Sequence, residues 1–177
     1  GKLRLDDQVT IGPQAVKARG ARLFLRPGTT ARVEDLLQGM IAVSANDAAV
    51  ALAEHAAQNE ASFVMEMNLA AKALGLRQTL FLNATGHDEK GQASTARDLA
   101  RLTSALIRNF PEYYGWFARK DFTYLDITQH NHNALLWRDS HVDGAKTGQS
   151  RAAGHCLSAS ARRDGMRLIA TVLGARD

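Results

Sequence analysis

A helical block followed by an antiparallel sheet, the α+β class, is the arrangement this sequence predicts, and it does so on three observations. Apolar residues recur at helical spacing between Val33 and Ile107. They alternate at strand spacing after Phe122. An Asp164-Gly165 pair then joins the last two alternating runs as a tight hairpin. The 177 residues, 45% hydrophobic and 23% charged, are enough for one soluble unit with a sizeable core. We expect a single unit over 1–177, helical over about 29–121 and sheet-forming over about 122–177.

The segment Leu3-Arg4-Leu5-Asp6-Asp7-Gln8-Val9-Thr10-Ile11 reads like the interior of a domain, with no signal-peptide pattern before it. Gly12, Pro13, Gly20, Pro27 and Gly28 surround Leu23-Phe24-Leu25, which predicts a loop carrying a short strand or extended arm. Val33, Leu36, Leu37, Met40 and Ile41 form one apolar helical stripe that runs into a cap or turn at Val43-Ser44-Ala45-Asn46-Asp47. An alanine-rich helix is expected from about Asp47 to Ala57. Asn59 then caps a third, with Phe63, Met67, Ala70, Ala71 and Leu74 on one side and Gly75 stopping it. Residues 79–94 read as a long polar loop. Thr95-Ala96-Arg97-Asp98 is a capping-box variant opening a helix with Leu99, Leu102, Thr103, Leu106 and Ile107 inward, ending near Pro111. Strands follow: a weakly alternating run at Phe122–Ile127, then three more around Lys146-Thr147-Gly148, His155–Ala161 and Met166–Leu173.

The formal charge of +4 comes from largely scattered basic residues, with Arg162-Arg163 adjacent, which argues against nucleic-acid binding. A positive field still favours an acidic ligand. The single cysteine, Cys156, excludes an internal disulfide, and its apolar strand context predicts a buried, inert thiol. No run is apolar enough to span a membrane.

Two triplets carry chemistry. Lys146-Thr147-Gly148, on an edge strand beside a cleft, offers a cation, a hydroxyl and open backbone N–H groups to an anionic ligand, and Gly148 lets that ligand approach the main chain. The plain alternative is a solvated strand end. Ser44-Ala45-Asn46, at a turn between two helices, holds a hydroxyl and a carboxamide that project together, although Ser and Asn are also ordinary turn residues. His130 and His132 raise a metallopeptidase as a rival, but they lack zinc-type helical spacing and a third ligand, so no metal or other cofactor is expected.

Beyond the triplets, the sequence resembles the low-molecular-mass penicillin-binding proteins, the serine D-alanyl-D-alanine carboxypeptidases of bacterial cell walls. The likeness rests on Leu25-Arg26-Pro27-Gly28, Ser44-Ala45-Asn46-Asp47-Ala48 and Gly86-His87. It extends through Ser94-Thr95-Ala96-Arg97-Asp98, Asn131-His132-Asn133-Ala134-Leu135-Leu136-Trp137, Val142-Asp143-Gly144-Ala145-Lys146-Thr147-Gly148 and Ala152-Ala153-Gly154-His155. The resemblance implies a β-lactamase/transpeptidase-like fold with three of the family's five strands in this chain. It implies acyl transfer on peptidoglycan stem peptides ending in D-Ala-D-Ala, covalent capture of β-lactam antibiotics, and a periplasmic location. Ser44, Asn46 and Lys146 would be catalytic; Thr147, Gly148, the Gln149 N–H and His132 would bind substrate. No serine here is followed three places later by lysine, the family's nucleophile motif. By resemblance that motif belongs upstream of Gly1, and missing segments or a companion chain are expected to complete the sheet. The alternatives are a non-catalytic peptidoglycan-binding fragment and a related DD-endopeptidase or β-lactamase.

Overall fold

The computed structural model describes residues 3–176. Strand β1 (Gln8–Thr10) pairs antiparallel with β2 (Thr30–Arg32), and β2 runs straight into helix α1 (Val33–Val43). Val33 and Glu34 at the head of α1 donate their N–H groups to Asp7 and Leu5 carbonyls, so the segment leading into β1 takes up two donors that a helix start leaves unpaired. Helices α2 (Asn46–Ala57) and α3 (Glu60–Ala73) follow, then α4 (Ala96–Asn109) and the single turns α5 (Pro111–Tyr114) and, after a hairpin, α6 (Leu135–Arg138). That hairpin is β3 (Asp121–Tyr124) with β4 (Ile127–His130). The chain ends in the antiparallel sheet β5 (Val142–Ser150), β6 (Gly154–Arg163) and β7 (Met166–Ala175), in the order β5-β6-β7.

The predicted helices form where the apolar spacing placed them. Leu36 and Val43 of α1 and Ala48 and Ala53 of α2 are fully buried, because the alanines let the two helices approach closely around Val9 and Ile11. Asn59 caps α3 by accepting the Ser62 N–H at 2.8 Å, and Gly75 ends it at φ +71°. The stripe on α3 is only partly covered: Ala71 is its buried member, and Ala70 beside it is exposed. Thr95 caps α4 through the Asp98 N–H at 3.2 Å, but the return half of the box is not made. The Asp98 carboxylate instead accepts the Gln78 N–H and the Thr79 hydroxyl, tying the start of the 79–94 loop to α4.

Of the two forms expected for residues 23–25, the chain takes the arm and not the strand, because the Leu23 and Leu25 N–H groups turn inward to the Asp47 carboxylate instead of to a neighbouring strand. One expectation is corrected. The run at 122–127 is not one strand but the first arm and tip of the β3–β4 hairpin, reversing at Leu125 and Asp126 with φ of 45° and 64°.

The sheet meets the helical block through hydroxyls as much as through apolar contact. Thr103 of α4 lies 2.8 Å from the Ser158 hydroxyl, and Tyr114 of α5 lies 2.6 Å from that of Ser160. A second apolar cluster of Ile41, Tyr114, Phe117 and Ala145 fastens the end of α1 to β5. On the far face of β7, Met166, Leu168 and Val172 are 64%, 66% and 53% exposed, and β7 is a sheet edge. An uncovered apolar face on an edge strand is an association surface. No helix among the described residues is long and apolar enough to cross a membrane.

Candidate active site

Ser44 sits at the C-terminal end of α1 in the left-handed region, φ 57°, a conformation non-glycine residues rarely adopt. The buried Asp47 two places into the next turn explains why the chain reverses there. Its carboxylate, 1% exposed, accepts the N–H groups of Leu23, Leu25 and Ala48 at 2.9–3.1 Å. The Asn46 N–H reaches the Ala21 carbonyl at 2.8 Å, so the α1–α2 turn is locked onto the 12–28 arm. Sequence reading treated Asp47 as one more turn residue; its role depends on donors more than twenty positions away.

Across the cleft, β5 carries Lys146 opposite Ser158, Thr147 opposite Leu157, Gly148 opposite Cys156 and Gln149 opposite His155. The Lys146 ammonium donates to the Ser44 hydroxyl and, at 2.9 Å, to the Thr147 carbonyl. Two triplets 102 positions apart thus meet directly. Burial pushes the Lys146 amine from 10.5 down to about 8. A lysine poised there exchanges its proton readily with a neighbouring hydroxyl at neutral pH.

The Asn46 amide nitrogen is held rather than presented. This Nδ2 donates to the Arg19 carbonyl at 2.7 Å, and that carbonyl lies 3.0 Å from His87 Nε2. His132 reaches the cleft because the flanking asparagines wire its turn. Asn131 donates to the Arg119 carbonyl at 2.9 Å and accepts the Asn133 N–H at 2.9 Å, while the His132 N–H donates to the Ala42 carbonyl behind Ser44. Partial burial, and after it the Lys146 charge, hold the His132 ring below its ordinary 6.5, so it is neutral at pH 7. The Asn133 Nδ2 beside it is buried with no acceptor among the described residues.

Thr147, Gly148 and Gln149 all line the cleft. Because β5 is a sheet edge, alternate N–H groups along it face away from β6. Cys156 corrects an expectation: it is only half-buried and lines the same cleft, its thiol 3.5 Å from the Ala153 carbonyl. His130 does not join the site; it pairs with Asp121 at 2.5 Å on the exposed β3–β4 hairpin. Among the described residues no His, Cys, Asp and Glu cluster has the makings of a metal site. The cleft holds about 1410 Å³, with Met40, Met67, Leu102 and Leu157 on its apolar stretch and Ser44 and Lys146 at its polar one.

Comparisons with known proteins find relatives along nearly the whole chain. The chain is 46% identical to the D-alanyl-D-alanine carboxypeptidase DacC of Escherichia coli, over 99% of its own length and 46% of that protein's. It is 37% identical to DacF of Bacillus subtilis, again over 99% of this chain and 46% of the relative. It therefore spans about half the length of these curated relatives. Penicillin binding protein 5 from Haemophilus influenzae superposes with a TM-score of 0.94 at 43% identity, covering 98% of this chain and 52% of that one. The ampicillin-bound penicillin-binding protein D2 from Listeria monocytogenes superposes at 0.85 and 34%, covering 98% and 70%. The helical block on an antiparallel sheet is thus the penicillin-binding-protein fold. The peptidase S11 pattern, described as D-alanyl-D-alanine carboxypeptidase, matches residues 1–177, and the chain belongs to that family.

Proposed function

We propose that these residues form most of the active site of a serine D-alanyl-D-alanine carboxypeptidase trimming peptidoglycan stem peptides, with the nucleophilic serine supplied by a segment upstream of Gly1. The observation that carries this reading is the direct Lys146–Ser44 contact across the cleft. The serine hydroxyl gives its proton to the lysine of its own motif and attacks the penultimate D-Ala carbonyl; the terminal D-Ala leaves as its amine, and water hydrolyses the resulting ester. Ser44 passes its proton to the departing amine and is refilled from that upstream lysine, while the Lys146 ammonium donates to the Ser44 oxygen and keeps its charge. With Nδ2 fixed on the Arg19 carbonyl, Asn46 offers its carbonyl oxygen to the substrate amide N–H and to the upstream lysine. Thr147 and the Lys146 charge hold the terminal carboxylate, and the Gln149 N–H forms half of the oxyanion hole. His132 lines the peptide's path.

The cleft supports the upstream segment as well as the substrate. Its volume of about 1410 Å³ exceeds the roughly 300–1,000 Å³ of ordinary small-ligand sites, and its apolar stretch suits a buried helix. The unsatisfied Asn133 Nδ2 marks a place where another group belongs. The same segment, or a companion chain, would cover the bare face of β7. Residues 1–177 then form one incomplete penicillin-binding domain that works outside the cytoplasm, in the periplasm.

Fluorescent penicillin tests this. The full-length protein becomes covalently labelled, while the 177-residue chain alone does not. Ser44→Ala and Lys146→Ala each slow labelling by about a hundredfold or more, the scale of a lost proton relay. A full-length protein that takes no label and releases no D-alanine overturns the proposal.

A further inference from the structure

Beyond the two triplets, one contact spans the cleft. Asp88, at the tip of the 79–94 loop, accepts the Ser150 hydroxyl at 2.5 Å and the Ala152 N–H at 3.1 Å. Ser150 is the last residue of β5, two beyond Gly148, and its oxygen in turn accepts the Ala153 N–H at 2.9 Å. The residues just before Asp88 are cleft wall: Thr85, Gly86 and His87 face the space, as do Gln149 and Ser150 on the opposite side. The base of the loop is fastened independently, by the Leu80–Ala93 bridge and by Asn68 on Phe81. Its tip is held from within by Asn83 and Gln92 on the His87 carbonyl, and from outside by His87 at Arg19 and by Asp88.

We propose that Asp88 is a positioning residue: a latch that closes one end of the cleft by fastening the 79–94 loop to the end of β5. Resting on the carboxypeptidase reading, it sets how tightly the cleft grips the peptide that precedes the scissile bond. It touches no reacting atom. The chemistry favours a charged latch, since the carboxylate takes a hydroxyl and an amide proton at once, whereas a neutral amide accepts only through its single oxygen. The Ser150 bond, first among the causes, holds the Asp88 carboxyl below the usual carboxylate range and keeps the latch charged. Fixing Ser150 also fixes the β5 edge from Thr147 onward, where a bound peptide would lie along the strand.

The test compares full-length wild type with Asp88→Asn, Asp88→Ala and Ser150→Ala on an N-acylated tripeptide ending in D-Ala-D-Ala, together with penicillin labelling. Asp88→Ala and Ser150→Ala are expected to raise KM about tenfold with kcat within about twofold, the signature of lost uniform binding. Asp88→Asn should fall between them and wild type, since it keeps one acceptor. The Asp88→Ala/Ser150→Ala double variant should cost no more than either single change. Equal KM in all variants, or a loss confined to kcat, overturns the latch. Amide exchange at Ala152 and Ala153 reads it separately: faster exchange in Asp88→Asn supports it and unchanged exchange overturns it, even if wild type proves inert towards penicillin. That last outcome would sink the carboxypeptidase reading instead.

Discussion

Replacing Lys146 with methionine keeps the apolar stem and removes the amine, and its effect on stability should depend on pH in a calculable way. The folded-state pKa of this lysine is about 8 against 10.5 when solvated. As pH rises from 8 to 10.5 the folded chain has already lost the proton that the unfolded chain still holds, so wild type gains stability over that window. Each pKa unit is worth about 1.4 kcal/mol, so the depression amounts to roughly 3 kcal/mol that wild type forfeits at pH 7 and recovers at high pH. Loss of the Ser44 and Thr147 hydrogen bonds adds an offset of similar size, but that offset does not follow the titration. The quantity to measure is therefore the slope. Urea unfolding of wild type and Lys146→Met between pH 7 and 10.5 should show the variant's relative stability falling by roughly 3 kcal/mol as pH rises. A flat difference across that range would mean an ordinary, solvated lysine and would refute the burial argument.

Other consequences follow from single contacts. Asp47→Ala leaves the Leu23, Leu25 and Ala48 N–H groups unpaired in the core, and thermal unfolding should show a loss of about 3–5 kcal/mol. Gly144→Ala would set a methyl 2.5 Å from the Tyr114 hydroxyl oxygen and 3.0 Å from its ring, for a cost of about 1–3 kcal/mol by the same measurement. The depressed pKa of His132 means that the unfolded chain takes up the proton first as pH falls below 6.5, so the neutral ring's contribution to stability is lost there. Wild type should therefore lose more stability than His132→Gln between pH 7 and 5, with equal losses counting against the assignment.

The helices were legible because their signals are local: the Val33–Ile41 stripe, the Asn59 cap and the Gly75 stop each act within one or two turns. The two triplets were legible for the same reason, as was their meeting, through resemblance. What stayed hidden depends on partners far along the chain. Nothing near Leu23 shows that its N–H will prefer a carboxylate 24 positions on, and that preference is what decides for an arm over a strand. The β3–β4 hairpin escaped because its tip is Leu125-Asp126, and a leucine at φ 45° is not a turn signal. Cys156 looked like core because its neighbours alternate, yet position along β6 puts it opposite Gly148, at the open cleft.

The frame that sets the Ser44–Lys146 contact is also the frame that folds the chain. Ser44 ends a helix whose last turn contributes Ile41 to the small cluster with Tyr114, Phe117 and Ala145, and Ala145 is the residue before Lys146. Both side chains therefore hang one to three positions from the same apolar contact, and a change in that packing moves them together. The strained φ of Ser44 is stabilised from the other side, by Asp47 holding the α1–α2 turn against the 12–28 arm. A hydroxyl in an unfavourable backbone conformation and an amine in an unfavourable dielectric face each other, each costly alone. Such costs persist where the surroundings over-determine the geometry, and they cluster at reacting sites, which supports the roles proposed for Ser44 and Lys146.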